Sequence, residues 1–76
     1  MDLEDESMSV ICELIRQATA SGAVQDPDDH TRFIELLKCI RGAFILNVPS
    51  FMRDNFINDA RELIRTTKKF DEYVFE

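Results

Sequence analysis

Glycine and proline are scarce in this sequence, two of each in 76 residues. So few turn-formers exclude an all-β chain built on many turns and a disordered chain rich in both. Cysteine is equally scarce. Cys12 and Cys39 are too few for a disulfide scaffold. Both lie inside helix-like segments, so they read as small apolar side chains of a reduced, intracellular protein. Long apolar runs are missing too. The longest is Ala43–Leu46, far short of the roughly 20 residues of a membrane span. The opening residues, MDLEDESMSV, are acidic where a signal peptide is basic. A soluble, cytoplasmic protein without membrane contact is expected.

Chemical signatures are also lacking. There is no glycine-rich phosphate loop, no GxSxG and no HExxH. The single histidine, His30, follows Asp28 and Asp29. Neighbouring side chains in the first turn of a helix diverge, and metal ligands must converge, so no metal or other cofactor is expected. Neither cysteine has a context that activates a nucleophile. A non-catalytic protein is the reading.

What is present is a compact, charged, apolar-striped chain. Its length fits one domain, residues 1–76, near the lower size for a core without metal or disulfide. Apolar residues make up 45 %, enough for a globular core. The net charge of −6 is unevenly spread. Residues 1–31 hold eight acids and one base, 32–69 hold eight bases and four acids, and 70–76 add three acids. An acidic whole disfavours nucleic acid at long range, while a basic middle still permits local phosphate contact.

The apolar spacing predicts an all-α, three-helix bundle with helices over about 5–20, 27–46 and 50–69. In the first, Met8, Ile11, Leu14, Ile15 and Ala18 form the stripe, and Ser21-Gly22 closes it, glycine accepting the left-handed cap conformation. The second start is QDPDDH: Asp26 is an N-cap, Pro27 fits the first helical position, and Asp28 and Asp29 face the positive end of the helix dipole. Phe33, Leu36, Leu37, Ile40, Ala43 and Phe44 make its core face. Pro49 disfavours helix at Val48 and ends it. Asn47 or Ser50 is expected to cap the third helix, whose inner face is Met52, Phe56, Ile57, Ala60, Leu63, Ile64 and Thr67.

The second helix has apolar surplus. Ile34 and Ile45 fall together beyond one edge of its core arc, and Cys39 and Leu46 beyond the other. A helix apolar nearly all round is buried on all sides, and two short neighbours cannot enclose it. An interface with a second copy or with another protein is therefore expected, formed by Ile34, Cys39, Ile45 and Leu46 with the corner residues Val48, Phe51 and Met52. A dimer is expected on this ground. The acidic-aromatic tail, residues 70–76, is expected to be flexible, with Phe70, Tyr73 and Phe75 as a docking segment.

Two alternatives belong to a different class. Arg61, Arg65, Lys68 and Lys69 gather on one side of the third helix, as phosphate contacts of a nucleic-acid-associated regulator would. The acids of residues 2–29 would instead suit a nucleic-acid mimic that blocks a basic protein. The leading expectation is a protein–protein interaction module: an adaptor, chaperone or inhibitor that regulates a partner.

Overall fold

The computed structural model describes residues 3–68, which form three α-helices: α1 (Leu3–Ser21), α2 (Pro27–Ile45) and α3 (Ser50–Thr67). Among the described residues there is no strand. The connections, residues 22–26 and 46–49, are short enough to make successive helices antiparallel neighbours. α1 begins two residues earlier than its spacing predicts, and α3 ends at Thr67, where Lys68 turns extended at φ −61°, ψ 143°. No helix is long and apolar enough to cross a membrane among the described residues.

Both connections leave their helix through the same device. At the end of α1, Gly22 takes φ 71°; its N–H donates to the Thr19 carbonyl, and the Ala23 N–H donates to the Ala18 carbonyl at 3.0 Å. At the end of α2, Asn47 takes φ 56°; its N–H donates to the Phe44 carbonyl, and the Val48 N–H donates to the Ala43 carbonyl at 2.9 Å. These are paired Schellman closures, each satisfying two end carbonyls through a left-handed residue. Asn47 is thus the terminator of α2, not a cap for α3. The N-cap of α3 is Pro49, and neither Asn47 nor Ser50 fills that position. Proline suits it because its extended ψ of 145° aims the chain into the helix and its missing N–H is not needed there. Asp26 does hold the N-cap position of α2, though its side chain makes no cap hydrogen bond.

The core gathers Ile11, Leu14 and Ala18 from α1, Phe33, Leu37, Ile40, Ala43 and Phe44 from α2, and Ile57, Ala60, Leu63 and Ile64 from α3. Two expectations for α1 need correction. Met8 and Ile15, placed in the stripe by hydropathy, are 45 % and 44 % exposed, whereas Ser7 is 0 % exposed. The buried positions 7, 11, 14 and 18 follow the alternating four-three spacing of a bundle seam. Ser7 fits there because it is small and its hydroxyl donates to the Glu4 carbonyl at 2.9 Å, so no polar group is stranded. Met52 is likewise exposed, not on the inner face of α3. There Arg53 lies with its guanidinium 4.6 Å from the centre of the Phe44 ring, a cation–π contact that joins α3 to α2.

Register is fixed at both ends of the bundle. Arg41 donates to Glu4 at 2.9 Å, setting the start of α1 beside the last turns of α2. At the other end the Val24 N–H donates to Thr67 Oγ1 at 3.1 Å, tying the α1–α2 connection to the last turn of α3.

Candidate protein-binding groove

A groove of about 470 Å³ runs between α2 and α3, lined by Arg32, Glu35, Leu36, Cys39, Asp59, Glu62, Leu63 and Thr66. No α1 residue lines it, so it lies on the face turned away from α1. The floor is apolar: Leu63 is buried, Leu36 half-buried, and the Cys39 thiol is exposed above them. The rim carries Glu35, Asp59 and Glu62 against Arg32. Glu62 accepts from Arg65 Nη2 at 2.5 Å. Glu35 and Asp59 make no ion pair among the described residues.

At about 100° per residue, Glu35, Cys39 and Leu46 fall within about 40° of one another on α2, and Met52, Asp59, Leu63 and Thr66 within about 60° on α3. The groove face therefore continues to the α2–α3 corner, where Leu46 is 77 % and Met52 44 % exposed. These two large apolar side chains stand in solvent in line with the apolar floor, whereas Phe51, also exposed, lies about 100° from Met52 around α3 and points outward from the groove.

The seven residues expected to share an interface do not share one surface. Cys39, Leu46 and Met52 belong to the α2–α3 face, Phe51 is exposed on the outward side of α3, and Val48 is half-buried in the corner between the two helices. Ile34 lies on the opposite flank. It is half-buried, packs on the core, and lines a smaller apolar pocket of about 310 Å³ with Ile15, Val24 and Phe33. Ile45 is exposed on that same flank, about 20° from Ile34 around α2. The α1 helix separates the surplus: it runs along the Ile34 side and leaves the Cys39 side open. Glu35 and Asp59 carry no motif, and the sequence signal, for Glu35 alone, is the arc it shares with Cys39 and Leu46.

Arg61, Arg65 and Lys68 do converge, with Gln17 and Ile64, on an open α1–α3 groove of about 620 Å³. Glu13 faces this side. Its carboxyl is held below the ordinary carboxylate range by hydrogen bonds from Arg16 and then Gln17, with a smaller pull from the Arg61 charge. Lys69, Phe70, Tyr73 and Phe75 lie outside the described residues, so neither the fourth phosphate contact nor the docking tail has a described position. Among the described residues no three His, Cys, Asp or Glu side chains are grouped to hold a metal ion.

Compared with family models, with curated proteins and with solved structures, the chain matches none of them.

Proposed function

We propose that this chain is a non-catalytic protein-interaction module that takes one amphipathic helix of a partner protein along the α2–α3 groove, as an adaptor, chaperone or inhibitor does. The observation that carries the reading is the exposure of Leu46 and Met52 at the open end of an apolar-floored groove. Two antiparallel helices covered on one face by α1 leave a vacant fourth position. A helix there completes a four-helix bundle and removes the exposed side chains from water. Each contributes about 1.5–3 kcal/mol on full burial.

A second copy is the competing occupant. The exposed corner offers two large apolar side chains on this face, Leu46 and Met52, while a stable interface takes roughly 20–30 residues a side. That favours a single inserted helix over a broad homodimer.

The test is the L46N/M52N variant of the full chain, used as bait beside the wild type. A complex of fixed stoichiometry, crosslinked to α2 and α3 and lost in the variant, is the expected result. A complex that ignores the two substitutions overturns the reading, as does a stable dimer at low micromolar concentration that the variant abolishes. One further reading has its own observation, the convergence of Arg61, Arg65 and Lys68. Retention on a polyanion column at low salt, lost in R61E/R65E, would favour phosphate contact and a nucleic-acid partner.

A further inference from the structure

We infer that the partner helix is basic: about four turns long, with an apolar stripe flanked by Lys or Arg. This rests on the groove reading above and specifies what the groove selects. Three acids and one base line the groove, and of the acids only Glu62 is already paired among the described residues, with Arg65. Glu35 stands on the α2 rim and Asp59 on the α3 rim, with Glu62 beside it, against Arg32 at the far end. A helix seated between α2 and α3 has its two flanks against these two rims. Cations on both flanks meet Glu35 and Asp59, whereas an acidic flank meets like charge at both. The same feature argues against self-pairing through this groove, since a second copy brings the same acidic rims.

The length follows from the geometry. Arg32 and Leu46 bound the groove face along α2, and at about 1.5 Å per residue they stand about 21 Å apart, roughly four turns of a partner helix. At the corner end Leu46 and Met52 receive the partner's last apolar residues. At the other end Arg32 and Thr66 give a polar stop.

The chain carries its own reporter. Cys39 lines the groove, while Cys12 is exposed on α1, which contributes nothing to it. The experiment titrates the full chain with an 18-residue Leu/Lys amphipathic helical peptide and, separately, with its Leu/Glu counterpart. It follows alkylation of the two thiols. The Leu/Lys peptide is expected to slow labelling of Cys39 about tenfold and leave Cys12 unchanged, and the Leu/Glu peptide to protect neither. E35K/D59K is expected to weaken binding about tenfold, and D5K/E6K, which changes net charge equally on α1 outside the groove, by less than about threefold. E35Q/D59N is the milder pair should the reversal disturb folding, with an intermediate loss expected.

Equal protection by both peptides overturns the basic partner and leaves the groove standing. Binding of the Leu/Lys peptide that leaves Cys39 labelling unchanged, or that D5K/E6K weakens as much as E35K/D59K, shows generic charge attraction and overturns the inference. So does no binding. Peptide binding insensitive to L46N/M52N removes the groove reading itself.

Discussion

The Val24 amide and the Thr67 hydroxyl, 43 residues apart, are joined by a hydrogen bond of 3.1 Å. Val24 is a β-branched residue held at φ 51° and almost fully buried. That conformation is unfavourable for an L-residue by about 1–2 kcal/mol, so the surrounding packing must hold it. Thr67 accepts from Val24 and donates in turn to the Leu63 carbonyl at 2.8 Å. Thr67→Val keeps the shape and removes the acceptor, leaving a buried N–H without a partner. The expected loss is about 1–3 kcal/mol in urea unfolding, with Thr67→Ser close to wild type. Equal stability of all three proteins would show that water or a shifted loop replaces the bond.

Asn47 carries the second left-handed turn, at φ 56°. Its backbone closes α2, so the side chain is needed only in so far as it tolerates that conformation. Asn47→Gly is expected to be neutral or slightly stabilising, because glycine adopts positive φ without a Cβ clash. Asn47→Ala is expected to lose about 1 kcal/mol. Thermal unfolding of the pair decides it, and an alanine variant as stable as the glycine one contradicts the assignment.

How far the fold was readable depends on what kind of residue carried the message. Pro27 after Asp26 and Gly22 after Ser21 mark helix ends by backbone constraint, and those ends stand where expected. Asn47 is ambiguous by chemistry: asparagine serves as an N-cap and as a left-handed terminator, and only the path of the chain chooses. Ser7 and Met8 show a different difficulty. Hydropathy ranks Met8 inside and Ser7 outside, but which of two adjacent residues enters the seam depends on the rotation of α1 against its neighbours. The groove was half legible. The surplus on α2 is visible in Ile34, Cys39, Ile45 and Leu46, but its division into two faces requires knowing which side α1 covers. Of the acids that rim the open side, only Glu35 has a sequence signal, the arc it shares with Cys39 and Leu46.

Ser7 also yields a stability test. It is fully buried, and its hydroxyl is satisfied within its own helix. Ser7→Ala removes donor and partial polarity together without leaving a gap larger than one oxygen, so the change should stay within about 1 kcal/mol. Ser7→Leu forces three extra carbons into a filled seam and should lose about 1–3 kcal/mol by overpacking. A stabilising Ser7→Leu would mean that the seam beside Ser7 has unfilled room.

Glu13 supplies the pH test. Its carboxyl is held below the ordinary glutamate value of 4.5, first because Arg16 and then Gln17 hydrogen-bond to the charged form, with Arg61 adding a weaker attraction. A carboxylate whose folded value is lowered stabilises the fold above its unfolded value, and that contribution is lost as pH falls through the lowered folded value. Glu13 is half-exposed, so the effect on overall stability is small after solvent screening. The titration itself is the sharper readout. The Glu13 side-chain carbon signal should titrate below pH 4.5 in the wild type, and Arg16→Gln should move its midpoint upward toward that value. Arg61→Gln should move it in the same direction by less. If Arg16→Gln leaves the midpoint in place while Arg61→Gln raises it, then the pull on Glu13 comes from α3 across the helix interface, and the α1–α3 groove holds its charges closer than the hydrogen bonds within α1 imply.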